Sequence, residues 1–289
     1  MHRTAIIVTF DRLSCAGLGC YGNEWIDTPG FDTLAAQGFV FDNHIALQVR
    51  GEGGGLTHGP RLAADWIGKL CDAGVQTTLL HEPQSELTID HAAFDDVHDC
   101  GGQDGLDVAA SDLPFAKLVQ RATAVIGGDS SSDRLVWLSS AGVPDVCRPP
   151  EEALDLYVEE FAHREIDWES LTPEEFGRQP AIRAAYLSLV DHWLGELRAA
   201  VATVSGPVLL IVLGCEGQIW QPVPRRSPFP GGLESQSSNP PWLMWGNDGS
   251  VMPGRSPALV QLTDLPPTLL DWWKYGAGNS SPLSPVFGG

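Results

Sequence analysis

Basic residues are scarce in this sequence. Its 289 residues include 17 Lys and Arg against 37 Asp and Glu, which gives a formal net charge of −20 at pH 7. A surface this acidic repels phosphate backbones and anionic lipid headgroups. The composition therefore argues against nucleic acid and membrane surfaces as partners, and it offers no long-range attraction to an anionic substrate.

Long apolar runs are also missing. No segment approaches the roughly 18 apolar residues of a membrane-spanning helix, and the first apolar run, AIIVTF, is too short for a signal-peptide core. None of the metal-finger spacings occurs among the six cysteines, which are Cys15, Cys20, Cys71, Cys100, Cys147 and Cys215. We therefore predict no membrane span, reduced thiols and a cytoplasmic protein.

What the sequence does contain is an alternation of short apolar runs and amphipathic segments of helix length. TAIIVTF (4–10) and PVLLIVLG (207–214) are apolar on both faces, as is typical of strands buried in a parallel sheet. Helices are predicted over 28–38, 59–74 and 180–206, each closed by a glycine. Strands that alternate with helices predict a parallel sheet covered by helices on both faces.

Four blocks, in this order, resemble the sulfatase family of the alkaline phosphatase-like superfamily. They are AIIVTFDRLSCAGLGCYGNEWIDTPGFDTLAAQGFVFDN, RLAADWIGKLCDAGVQTTLL, AYLSLVDHWLGELRAA and LVQLTDLPPTLLDWW. The resemblance implies an α/β three-layer sandwich, with a mostly parallel central sheet, helices on both faces and functional groups at the carboxyl ends of the strands. It also implies a core domain over 1–275, followed by a tail over 276–289 in place of the family's smaller C-terminal subdomain.

The nucleophile that the resemblance implies is missing. In the family it lies in a motif that begins with Cys or Ser, shortly after the strand that ends in FDN here. In this chain the interval from Asn43 to Leu56, NHIALQVRGEGGGL, contains no Cys, Ser or Thr. Arg50 lies near the position of the motif's arginine, but it has no preceding nucleophile to activate.

The metal positions are only partly retained. Asp11 matches the first metal-binding aspartate of the family, but Arg12 follows where a second acid is common, and a cation there repels a metal ion. The late metal motif is replaced by Cys215 and Glu216. We interpret Asp11, Cys215 and Glu216 as vestigial metal positions. Calcium or magnesium is expected only if their oxygen ligands still suffice.

The leaving-group side lacks its histidines. Ala141, Gly142 and Val143 occupy the positions at which the resemblance places an imidazole, and HEPQSE (81–86) replaces a Lys- and His-containing motif. His81 is close by, but a lone histidine at a strand end is more often a surface residue than a general acid. We therefore assign no catalytic residue.

Three functions remain open at this stage. The first is a catalytically inactive, sulfatase-like pseudoenzyme that acts by binding or assembly, with an unknown protein partner or as a homo-oligomer, and without a cofactor. The alternative is a divalent-metal-dependent hydrolase of sulfate or phosphate esters with a rearranged active site. A third is a scaffold that binds a small anion through Arg12 and Arg50, if both arginines face the cleft.

Overall fold

The central strands form where consecutive residues are apolar on both faces of the chain. The computed structural model describes residues 2–47, 65–87, 89–128, 131–144, 147–157, 173–218 and 235–274. Its strands are β1 (Thr4–Arg12), β2 (Phe39–His44), β3 (Gln76–His81), β4 (Asp96–Asp99), β5 (Arg134–Gly142), β6 (Val208–Glu216), β7 (Trp242–Gly246) and β8 (Gly254–Val260). Its helices are α1 (Pro29–Gln37), α2 (Asp65–Asp72), α3 (Pro114–Ile126), α4 (Glu151–Leu154), α5 (Pro173–Ala202), α6 (Ser235–Ser238) and α7 (Leu265–Trp272).

The strands of the described residues join into one eight-stranded sheet in the order β4-β3-β5-β1-β6-β7-β2-β8. β7 runs antiparallel to both of its neighbours, and every other neighbouring pair is parallel. The predicted α/β fold with a mostly parallel central sheet is therefore confirmed. β1 lies in the middle of the sheet between β5 and β6, so its carboxyl end opens at the centre of that edge.

Both faces of the sheet are covered, because alternate residues of β1 enter two different hydrophobic clusters. Ile6, Val8 and Phe10 pack in the cluster that contains the apolar residues of α1, α3 and α5. Ala5 and Ile7 pack in the cluster that contains those of α2 and α7. All five side chains are fully buried. This arrangement confirms the predicted three layers, since a two-sided strand requires a helix layer on each face.

Several predicted boundaries were wrong. β4 was not predicted, because its acidic sequence, DVHD, carries no apolar pattern and pairs only at the sheet edge. Pro180 was expected to begin the long helix, yet α5 begins at Pro173 and includes Pro180, where the missing N–H costs one backbone hydrogen bond. The stop signal at Gly74 was correct, since Gly74 has a φ of 84° two residues after the last residue of α2.

Three predicted features lie outside the described residues. They are Arg50, most of the interval that replaces the nucleophile motif, and the tail over 276–289. The division into a core over 1–275 and a tail stays a prediction. In the part of the chain that the structure describes, no helix combines the length and the apolar character needed to cross a membrane.

Candidate functional site

Three of the predicted site residues meet at the carboxyl edge of the central strands. Asp11 lies at the end of β1, and Cys215 and Glu216 lie at the end of β6. The two strands are parallel, and the register pairs Arg12 with Glu216, so Asp11 and Cys215 lie level with each other. Burial first, and then the charges of Asp11 and Glu216, raise the pKa of the Cys215 thiol well above its usual value.

The carboxylate of Asp11 is bound by the loop that follows β3. Its Oδ1 accepts hydrogen bonds from the Ser85 hydroxyl at 3.1 Å and from the Leu87 backbone N–H at 3.2 Å, and its Oδ2 accepts one from the Glu86 N–H. Asp11 is only 8% exposed. Asp11 thus holds the loop after β3 against the end of β1. The loop in turn supplies the donors that a buried carboxylate needs to remain charged.

Arg12 contacts the same loop. Its Nη2 lies 2.9 Å from the Glu86 Oε1, and the Arg12 side chain is 15% exposed against 45% for Glu86. Arg12 therefore pairs with an acid of its own chain at this edge. Whether Arg12 and Arg50 share a cleft stays a prediction, because Arg50 is outside the described residues.

Glu82 is a second buried acid at this edge that the sequence analysis missed. Its Oε1 accepts a hydrogen bond from the Ser140 hydroxyl at 2.7 Å, and its Oε2 accepts one from the Ala141 N–H at 2.9 Å. Burial raises the pKa of Glu82 to about 8. Its position directly after the buried strand β3 could have indicated a site residue. A single acid beside a turn is more often exposed, however, so this position alone did not predict burial.

Ala141, one of the positions at which the resemblance places an imidazole, contacts Glu82 through its backbone. The Ala141 backbone N–H binds Glu82, and the Ser139 hydroxyl lies 2.8 Å from the Ser85 hydroxyl. The end of β5 and the loop after β3 are thus joined by hydrogen bonds on both sides of Asp11. The resulting network, which we call the Asp11 network, comprises Asp11, Glu82, Ser85, Glu86, Leu87, Ser139, Ser140 and Ala141.

The side chains that the structure describes at this edge do not form a ligand set that suits a divalent cation. Such an ion needs acceptor oxygens or thiolates, whereas Asp11 already accepts two N–H groups and one O–H group, and burial raises the pKa of the Cys215 thiol. The N–H hydrogens of Glu86 and Leu87 point toward the carboxylate and oppose a positive charge there. Among the described residues, no group of three or more His, Cys, Asp or Glu side chains is arranged to hold a metal ion.

Comparison with solved structures gives the fold class. The phosphonate monoester hydrolase of Agrobacterium radiobacter matches with a TM-score of 0.68 and 14% identity, over 94% of this chain and 73% of that one. BT4656, solved with its substrate D-glucosamine-2-N,6-O-disulfate, matches with a TM-score of 0.70 and 13% identity, over 93% and 76%. The C-terminal periplasmic domain of EptC from Escherichia coli, solved with zinc, matches with a TM-score of 0.62 and 14% identity, over 93% and 82%.

These similarities show the fold. This chain has the alkaline phosphatase-like α/β fold, as the resemblance of the four sequence blocks implied, and solved structures that share it include a phosphonate monoester hydrolase and a putative sulfatase from Bacteroides thetaiotaomicron. No protein-family model matches the sequence, and no curated protein matches it either. The activity of the chain therefore has to be inferred from its own residues.

Proposed function

We propose that this chain is a non-hydrolytic relative of the sulfatase-like enzymes, a pseudoenzyme that acts by binding or assembly and uses no metal cofactor. One observation carries the proposal. The carboxylate of Asp11, which the resemblance aligns with a metal ligand, accepts hydrogen bonds from the loop after β3. These donors from the chain itself oppose a positive charge at the Asp11 carboxylate, which supports the proposal.

The chemistry of ester hydrolysis supports the same proposal. Cleavage of a sulfate or phosphate ester on this fold requires an activated nucleophile and a cation that stabilises negative charge. The interval from Asn43 to Leu56 offers no Cys, Ser or Thr as the nucleophile. A cation at Asp11 would have to compete with three hydrogen-bond donors for the carboxylate and would lie beside Arg12, which repels it.

The partner we propose is another protein or a second copy of this chain. The net charge of −20 disfavours nucleic acid. Two large apolar side chains, Met252 and Leu259, are each 69% exposed, and Leu259 lies on the edge strand β8. Exposed apolar groups at a sheet edge support association. We also propose a cytoplasmic location, which the six free cysteines support.

Hydrogen exchange of the Glu86 and Leu87 amides tests the proposal directly. Both amides donate to the buried Asp11, so we expect them to be protected, and we expect calcium, magnesium, manganese or zinc to leave that protection unchanged. Asp11→Asn, which keeps the shape of the side chain, is the matched control. It should accelerate exchange of the two amides while leaving the amides of β5 unchanged.

The hydrolase alternative predicts the opposite results. A stoichiometric metal that speeds exchange of the Glu86 and Leu87 amides would show that Asp11 changes partners to bind it. Metal-dependent turnover of aryl sulfate, aryl phosphate or aryl phosphonate esters, lost in Asp11→Asn, would then overturn the pseudoenzyme proposal. We expect no turnover above that of the variant with any of the three esters.

A further inference from the structure

A cavity of about 440 Å³ lies at the amino edge of the sheet, opposite the Asp11 network. It is located where β1 and β5 begin and where α3 and α5 end. Small-molecule sites have volumes of roughly 300–1,000 Å³, so the cavity is large enough for a ligand. Its lining shares no residue with the Asp11 network, and it includes Thr4, Thr123, Arg134, Thr203 and Ser205.

Arg134 and His2 are the two residues of the cavity lining that can carry a positive charge, and Arg134 is the permanently charged one. It is 8% exposed and is the one buried Lys or Arg among the described residues. Its guanidinium forms no ion pair with a carboxylate in the described part of the chain. Its N–H groups donate instead to neutral acceptors, which are the Thr4 hydroxyl at 3.1 Å and the carbonyls of Val125 at 3.1 Å, Ile126 at 2.8 Å and Gly128 at 3.3 Å.

These contacts use four of the five guanidinium N–H groups and leave one N–H on Nη2, and they do not supply a full counter-charge. The carbonyls at the end of α3 carry the partial negative charge of a helix terminus, which is equivalent to about half an elementary charge. A buried cation is normally paired with an acid, and this chain has 37 acidic residues from which to choose. Among the described residues no carboxylate pairs with the Arg134 guanidinium, which is therefore unexpected; the neighbouring Asp133 instead accepts the Arg3 backbone N–H and lies 3.8 Å from His2 Nδ1.

The Thr4 hydroxyl adds an unused donor beside the guanidinium. Thr4 is 2% exposed, and its Oγ1 accepts the hydrogen bond from the Arg134 Nε. No acceptor for the Thr4 hydroxyl proton occurs among the hydrogen bonds of the described residues. A buried donor without an acceptor is destabilising. Thr123 and Ser205 add hydroxyl groups at the exposed rim of the cavity.

We propose that this cavity binds the oxyanion group of a small molecule, a sulfate, phosphate or carboxylate, with Arg134 as the cation and the Thr4 hydroxyl as a further donor. Such a group supplies both the negative charge and the acceptor that the cavity lacks, and charged hydrogen bonds to guanidinium are among the stronger ones in proteins. The three oxyanions share this chemistry, so the experiment must separate them.

Titration calorimetry of the full chain with sodium sulfate, phosphate and acetate, each against sodium chloride at equal ionic strength, tests the proposal. We expect saturable binding of at least one oxyanion, and the ranking of the three identifies its class. Thr123 is exposed on α3, so Thr123→Glu should fold and place a competing carboxylate at the rim. It should weaken binding by about tenfold, whereas the matched Thr123→Gln should change it by less than about twofold.

A second variant removes the donor in the cavity floor. Thr4→Val keeps the shape of the side chain and should weaken binding about fivefold, because the bound oxyanion loses one hydrogen bond. Asp11→Asn should leave the affinity unchanged, so this result is independent of the proposed pseudoenzyme function. Heat no greater than that of sodium chloride, or equal affinity in Thr123→Glu and Thr123→Gln, would show that Arg134 serves only to cap α3.

Discussion

Buried charged side chains have different partners at the two edges of the central sheet. At the carboxyl edge, Asp11 is enclosed by donors of the loop after β3, and Arg12 pairs with Glu86. At the amino edge, Arg134 contacts only neutral acceptors and lines a cavity of about 440 Å³. Among the described residues, the buried charge at the carboxyl edge thus has partners from its own chain, while the buried charge at the amino edge has no carboxylate partner and lies beside a cavity.

The largest expected effect concerns the pH dependence that Glu82 gives to the carboxyl edge. Burial raises its folded-state pKa to about 8 from its ordinary value of 4.5, so its stabilising contribution is complete below that ordinary value and is lost as the pH rises toward 8. Glu82→Gln can keep the contacts with Ser140 and Ala141 without a charge. Between pH 5 and pH 8, we expect its unfolding free energy to gain roughly 3 kcal/mol relative to the wild type.

Urea denaturation of both proteins at several pH values measures this difference. If the unfolding free energies of the wild type and Glu82→Gln varied with pH in the same way, Glu82 would ionise in the folded protein without a penalty. Glu82 would then not be a buried, protonated acid at the carboxyl edge.

The second prediction concerns Asp11 itself. Asp11→Ala removes the acceptor of the Ser85, Glu86 and Leu87 donors, and Leu87 is only 7% exposed. We expect the unfolding free energy to fall by about 2 kcal/mol, because buried donors are left without partners. Urea denaturation at pH 7 gives the value, and Asp11→Asn should lose less. An Ala variant as stable as the wild type would mean that water replaces the carboxylate and that this edge is open.

The smallest expected effect is at the amino edge. Arg134→Met keeps most of the apolar stem but removes the donors to the carbonyls of Val125, Ile126 and Gly128. We expect a loss of about 1 kcal/mol, since Gly128 is exposed and water can reach the end of α3. Thermal denaturation with and without sulfate separates the two roles of Arg134. Wild-type protein should be stabilised by sulfate beyond the effect of sodium chloride, and Arg134→Met should not.

The sequence predicted the strands of the candidate site better than the contacts of its side chains. Asp11, Cys215 and Glu216 could be placed at one edge, because carboxyl ends of neighbouring parallel strands meet there. The contact between Asp11 and Ser85 joins residues 74 positions apart, and no local pattern indicates it. Glu82 was missed for a related reason, since its burial depends on Ser140, which is 58 positions away.

The amino edge illustrates the same limit. Arg134 begins β5, where a basic residue before an apolar run resembles an ordinary exposed end of a strand. Its burial follows from β1 and the end of α3, and the Thr4 hydroxyl that it contacts is 130 positions away. The cavity beside it is formed by the ends of four elements, and the sequence pattern of each element describes only that element.

The sequence by itself determined most of the strands and helices and the two-sided burial of β1 and β6, because periodicity is a local property. Only the tertiary structure decided which donors enclose Asp11 and which acceptors surround Arg134. The free energy of a buried charge depends on groups within a few ångströms of it, and folding brings those groups from distant parts of the chain.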